Sequence, residues 1–228
     1  MMQEEEIAQN PVISHAMENY LKAIYQLSTA SNKVSTSQLA KRMECTPASV
    51  TNMLQKLASL RLVEYTRYHG VRLTPAGKKV ALEVVRHHRL LELYLADVLG
   101  FSWDKVHAEA EQLEHVISEE LEARIDEALG FPTRDPHGDP IPTKEGTISG
   151  EILGSLWDAS AGDQVMVKRV SDRSPEVLRY LASIEIYPEV ELEVLGRGPI
   201  NGPLHVNVGG RKHSLSKELA AQIFVAVR

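Results

Sequence analysis

The sequence predicts a mainly α chain with β in three parts: an N-terminal winged helix-turn-helix over residues 1–74, a helical dimerisation domain over 75–146 that ends in a Pro-rich linker, and an SH3-like β-barrel over 147–228. Three observations carry that prediction. Apolar residues recur at three- and four-residue spacing through the first half of the chain; prolines cluster between Gly130 and Gly146; beyond them short runs alternate apolar with polar residues between glycines. At 228 residues and 43% hydrophobic content the chain exceeds one average domain and can bury more than one core.

The first helix is expected from Ser14 as cap to Leu27, with Met17, Tyr20, Leu21, Ile24 and Leu27 on one face. Ser35 then precedes a short helix. Thr46 as cap and Pro47 at the first helical position open a longer one. Residues 62–67 and 71–73 read as two short strands about Tyr68-His69-Gly70, which completes a helix-turn-helix with a wing. Long helices are expected over 75–99 and 103–129. Pro132, Pro136, Pro140 and Pro142 then mark an extended connector. Strands follow at 164–170, 190–195, 203–208, 211–215 and 222–227, with a helix begun by Ser174-Pro175.

The net charge of −6 conceals a sharp asymmetry. Residues 33–89 hold 11 Lys and Arg against 3 Asp and Glu, while residues 90–145 hold 4 against 14. The first segment suits phosphates and the second suits cations. No apolar run approaches the roughly 18 residues of a membrane span, the terminus MMQEEEIAQN lacks a signal-peptide pattern, and a cytoplasmic location is expected. The single cysteine, Cys45, excludes an internal disulfide and any multi-cysteine metal site, and reads as packing in the turn.

On a helix, His107, Glu111, Glu114 and His115 fall at i, i+4, i+7 and i+8 and project from one face. Four stacked ionisable groups repel or require desolvation unless a cation joins them. The bland reading is a solvated acidic face. Against it, His rather than Lys or Arg twice occupies the positions that would partner Glu. His88 and Glu92, also i and i+4, sit on the preceding helix and can combine with His107 as a second set.

The runs RHHRLLE (86–92), KVHAEAEQLEH (105–115) and DPHGDPIP (135–142), with YLKAIYQL and PASVTNMLQKL before them, resemble the diphtheria-toxin-repressor family over nearly the whole chain. The resemblance implies a metal-dependent repressor of metal-homeostasis genes with a FeoA-like C-terminal domain. It assigns His88, Glu92 and His107 to an ancillary metal site, to which the SH3-like domain adds Asp172 or Glu176. It assigns Glu111, Glu114 and His115 to a primary site completed from helix one at Asn19, with neighbouring Glu18 as substitute. Iron-type members place Cys and Met in the primary site, so the oxygen and imidazole donors here favour Mn(II) over Fe(II), with two sites per chain.

For operator DNA, the N-terminal end of the longer helix should present Thr46, Ala48, Ser49 and Asn52 to base edges, with Thr36 and Ser37 on the shorter helix. Arg67 and Arg72 of the wing, with Lys41, Arg42, Lys56 and His69, are phosphate candidates. Two-fold operators imply a homodimer. A rival from another class is a metal-dependent hydrolase, against which no HExxH and no nucleophile motif appears. A second is a winged-helix regulator of organic ligands.

Overall fold

The computed structural model describes residues 13–28, 33–200 and 202–227. The acidic terminus MMQEEEIAQN lies outside them. The chain divides into two units, Met1–Val85 with Lys144–Thr147, and Arg86–Thr143 with Ile148–Arg228.

The first unit contains α1 (His15–Ser28), α2 (Thr36–Arg42), α3 (Pro47–Ser59), the hairpin β1 (Val63–Thr66) and β2 (Gly70–Leu73), and the opening turns of α4 (Pro75–Asp97). Met17, Leu21 and Ile24 of α1 pack with Leu39, Val50, Leu54, Leu57 and Val71 into one core. Ser35 starts α2 with a reciprocal cap. Its Oγ accepts from the Gln38 amide at 3.2 Å, and its own amide donates to Gln38 Oε1 at 2.8 Å. Thr46 caps α3 by accepting from the Ser49 amide at 3.2 Å. The strands pair antiparallel from Val63 opposite Leu73 to Thr66 opposite Gly70. Cys45 Sγ lies 3.2 Å from the Tyr20 hydroxyl, a packing role for the thiol.

The second unit takes the rest of α4, then α5 (Val106–Leu113) and α6 (Glu119–Ala128), around Leu90, Leu91, Leu95, Val106, Ala110, Ile125 and Ile141. The single helix expected over 103–129 is therefore two. Glu114 ends α5, and Ser118 restarts the chain as a cap that accepts from the Leu121 amide at 3.2 Å. The Glu114 carbonyl, freed by the break, accepts from His87 Nδ1 at 3.0 Å. A ring hydrogen bond thus replaces a helical one.

The proline-rich segment is not the extended spacer its composition suggests. Prolines forbid helix, but Asp135 Oδ1 accepts from the amides of His137 and Asp139, each at 2.9 Å, and folds the chain back. Arg134 bridges Pro140, and the Ile141 amide donates to the Thr133 carbonyl at 2.9 Å. His137 at the tip has 0% exposure.

The C-terminal part is an antiparallel sheet of β3 (Gly154–Ser155), β4 (Gln164–Val170), β5 (Glu191–Arg197), β6 (Leu204–Val208), β7 (Arg211–Leu215) and β8 (Ile223–Val227), ordered β3-β8-β4-β5-β6-β7. Val165, Val167, Leu192, Val194, Leu204, Val206 and Val225 alternate into its core, covered by Leu178 and Leu181 of α7 (Pro175–Ser183). Short α8 (Lys217–Ala220) precedes the last strand. The expected barrel does not close: among the described residues β3 and β7 are unpaired edges, β3 being only two residues long. No helix among the described residues is long and apolar enough to cross a membrane.

Candidate metal centre

Inside the second unit, His88 and Glu92 lie one turn apart on α4 and His107 lies in the first turn of α5. His88 Nε2 is 3.0 Å from Glu92 Oε1 and 3.0 Å from His107 Nδ1, and His107 Nδ1 is 3.0 Å from the same Glu92 oxygen. Asp172, just past β4, brings Oδ2 to 3.4 Å from His107 Nδ1. One donor atom from each of the four falls within 4.8 Å of the others. The glutamate and His88 are buried, with side-chain exposures of 1% and 6%, while His107 and Asp172 are about one-third exposed at 30% and 31%. The group is therefore a pocket floor with an open rim.

Burial alone would push the Glu92 carboxyl up. The imidazoles of His88, His107 and His137 outweigh it and hold the carboxyl well below the usual range. Glu92 Oε2 is buried without a hydrogen-bond partner. Two imidazoles, two carboxylates, no sulfur and an orphaned buried oxygen are a donor set that fits a borderline or hard divalent ion.

Glu114 sits at the end of α5 with 1% side-chain exposure; its carboxylate is hydrogen-bonded to His88 Nδ1, and its Oε1 lies 3.3 Å from His115 Nε2. Glu111 is exposed, with Oε1 at 3.8 Å from His107 Nε2. The stripe expected on one face is thus divided by the helix break. Only His107 and Glu111 remain on α5 proper, and Glu114 turns inward to His88. Glu18 and Asn19 lie on α1, in the first unit. Glu176 is exposed in the first turn of α7, and Asp172 rather than Glu176 joins the cluster.

Sequence reasoning missed two buried groups. Arg86 donates to Glu122, to Asp126 Oδ2 at 2.6 Å and to the Pro142 carbonyl at 2.8 Å, tying α4 to α6. His137 stands behind the centre: its Nε2 donates to the Trp103 carbonyl at 2.8 Å and its Nδ1 faces Glu92 Oε2 at 3.8 Å. Burial would depress His137, but Glu92 and Asp135 raise it to about 9. The only sequence signal was the polar DPHGDP run, too hydrophilic for a buried strand and too specific for a spacer.

On the first unit, Thr46, Ala48, Ser49 and Asn52 are exposed along the start of α3, with Ser37 exposed and Thr36 half-buried on α2. Thr46 and Ser49 share a hydroxyl contact of 3.0 Å. Arg72 Nε donates to Glu64 Oε2 across the hairpin at 2.7 Å, and the Arg67 guanidinium lies 5.0 Å above the Tyr68 ring.

A helix-turn-helix with a wing, a helical segment holding a histidine-carboxylate cluster, and a terminal sheet define a metal-responsive DNA-binding regulator. Three family models match in that order: "Iron dependent repressor, N-terminal DNA binding domain" over residues 13–71, "Iron dependent repressor, metal binding and dimerisation domain" over 74–143, and "FeoA domain" over 155–227. The chain belongs to the diphtheria-toxin-repressor family of metal-dependent transcriptional regulators. The iron-dependent repressor IdeR of Mycobacterium leprae is 36% identical over 151 residues, 66% of this chain and 63% of that protein. The diphtheria toxin repressor of Corynebacterium diphtheriae is 35% identical over 125 residues, 55% of each. The matched stretches thus span less than two thirds of these relatives.

Among solved structures, one described as a manganese-dependent transcriptional repressor in complex with manganese is 41% identical, covers 93% of this chain and 100% of its own, and superposes with a TM-score of 0.86. The manganese regulator SloR is 31% identical, covers 93% and 98%, and gives 0.75. The family is one of transcriptional repressors, so the hydrolase reading falls.

Proposed function

We propose that this chain is a Mn(II)-responsive, operator-binding repressor that acts in the cytoplasm as a homodimer on metal-homeostasis genes. The observation that carries the reading is the convergence of His88, Glu92, His107 and Asp172 with only nitrogen and oxygen donors. In the proposed arrangement these four hold one ion. Glu111, Glu114 and His115 hold the second, with Asn19 or Glu18 of α1 as the further donor that the family resemblance supplies.

When bound, the ion would add positive charge to carboxylates that otherwise have imidazoles beside them. The residues do the rest. His88 presents Nε2 while its Nδ1–H donates to Glu114, the carboxylate-histidine pairing that fixes a ligating ring and its tautomer. Glu92 offers Oε1, and His107 and Asp172 close the open rim. In the apo protein the charge that Glu111, Glu114 and Glu92 concentrate is answered by imidazoles, and an ion that binds the DNA-competent arrangement more tightly would shift the population toward it. DNA contact falls to Thr46, Ala48, Ser49 and Asn52 of α3, with Thr36 and Ser37 of α2 and Arg67 and Arg72 of the wing. Arg72 acts there only by leaving Glu64.

An Fe(II) reading draws support from the relative named an iron-dependent repressor. Operator binding by fluorescence anisotropy, titrated anaerobically with Mn(II) and with Fe(II), separates the two. The proposal expects Mn(II) to raise affinity at lower free concentration relative to its availability, and expects Glu111→Cys to gain iron response. An apo protein that binds operator as tightly as the Mn(II)-loaded one ends the proposal.

A further inference from the structure

Behind the metal centre the Asp135–Asp139 turn touches both sides of the pocket at once, through atoms the ligand set does not use. His137 is wholly buried. A carbonyl can only accept, so the 2.8 Å contact to Trp103 places a proton on Nε2, whatever Nδ1 carries, and the ring so fixed aims Nδ1 at Glu92 Oε2, 3.8 Å away. Among the described residues neither Nδ1 nor Oε2 has a hydrogen-bond partner, and they face each other at ion-pair distance. The carboxylate thus lies with Oε1 toward His88 and His107 and Oε2 toward the His137 ring.

The same residue reaches the other wall by its backbone. The Val170 amide donates to the His137 carbonyl at 2.9 Å, two residues before Asp172. Next to it, Gly138 at φ +89° lies so close that a Cβ there would stand 2.0 Å from the Lys168 carbonyl oxygen. Asp139 Oδ1 then accepts from Arg169 and from Arg89, each at 3.2 Å, joining β4 to α4 a second time. The Trp103 ring stacks on His137 with centroids 5.7 Å apart and also packs against the sheet core, which seals the turn from solvent.

We propose that His137 is a positioning residue for the metal centre, setting Glu92 through its ring and Asp172 through its main chain so that donors from α4 and from the end of β4 meet at one point. The inference rests on the reading of His88, Glu92, His107 and Asp172 as ligands. A separate ion held by Glu92, Asp135 and His137 is the competing use of the same atoms. Asp135 argues against it, because its Oδ1 takes two amides and its Oδ2 faces Arg89 Nε at 3.6 Å.

The test is Mn(II) titration of the full chain by calorimetry, with stoichiometry, and by thermal melting of the apo protein, for wild type, His137→Asn, His137→Gln and His137→Phe. The Asn amide can stand near Nδ1 and keep a donor on Glu92, whereas the Gln amide stands near Nε2 and keeps only the bond to Trp103. The proposal expects about 10- to 100-fold weaker binding at one of the sites in the Gln and Phe variants, the scale of losing a ligand's orienting partner, with affinity largely restored in the Asn variant. A structural role alone moves all three melting temperatures and leaves affinity at wild type, and that result overturns the proposal. An additional ion in wild type that all three variants lose overturns it in favour of the competing site. Wild type that takes up no Mn(II) overturns the metal-centre reading itself.

Discussion

Gly138→Ala isolates what the Asp135–Asp139 turn does for the second unit. Two costs are expected. The new residue must hold φ near +89°, a left-handed conformation that disfavours any Cβ by about 1–2 kcal/mol. The Cβ would also stand 2.0 Å from the Lys168 carbonyl oxygen, 1.4 Å short of the 3.4 Å at which ordinary contact begins, and the atom it meets is strand backbone rather than a flexible side chain. Overpacking of that kind costs about 1–3 kcal/mol, so the total is roughly 2–5 kcal/mol. Gly130→Ala supplies the control, because Gly130 has φ +71° and nothing within 4 Å of a Cβ. Its cost is strain alone. Urea unfolding followed by tryptophan fluorescence suits the comparison, since Trp103 stacks on the neighbouring His137 and Trp157 packs on the sheet core. The reasoning is refuted if the two alanine variants agree within about 0.5 kcal/mol, the noise of a plain surface change.

Arg86→Leu leaves Glu122 and Asp126 buried without their cation, and about 3–5 kcal/mol of stability should disappear from the urea midpoint, much of it regained when Glu122→Gln and Asp126→Asn are added. Asn52→Ala should weaken operator binding by about 1–3 kcal/mol while leaving Mn(II) uptake by calorimetry unchanged, and equal loss on a scrambled operator would remove Asn52 from base reading. Arg67→Ala should instead lower the salt slope of binding by about 1, measured by anisotropy across a salt series. Burial, together with the Cys45 contact, pushes the Tyr20 hydroxyl up from 10.0 to about 12. The folded state holds that proton more tightly, so this stability is present below pH 10 and is lost as pH rises through 12; Tyr20→Phe should flatten the alkaline melting curve over that window, and an unchanged slope would show that Tyr20 does not titrate there.

What could be read from the sequence was whatever depends on neighbours along the chain. Thr46 was legible as a cap, and Ser35 and Ser174 as helix starts, because a cap acts within three residues, and the periodic apolar residues of α1 and α3 point to their core without reference to anything distant. The break at Glu114 was missed although its signal is local: His115, Val116, Ile117 and Ser118 interrupt the acidic run with weaker helix formers, and Ser118 ahead of Glu119 and Glu120 is a cap pattern. What stabilises the break is the ring of His87, 27 positions away. The prolines misled for a different reason. They exclude helix correctly, yet nothing local says that Asp135 and Gly138 close the turn against β4. The nearness of His88 and Glu92 was legible by helical spacing, while Asp172 came in only as one of two alternatives, since its approach to His107 is set by strand packing.

The break at Glu114 changes how the two groups of ionisable residues relate. On one uninterrupted helix, His107, Glu111, Glu114 and His115 would form a single row and a single electrostatic problem. With the chain turned at Glu114, His88 stands between the groups, its Nε2 facing Glu92 and His107 and its Nδ1 bonded to Glu114. One ring thus reaches both clusters, Nδ1 toward Glu114 and Nε2 toward Glu92 and His107, where the proposed ion would sit. The position of one cluster is therefore tied to that of the other through a single side chain, and that linkage arises from the turn rather than from the spacing of the sequence.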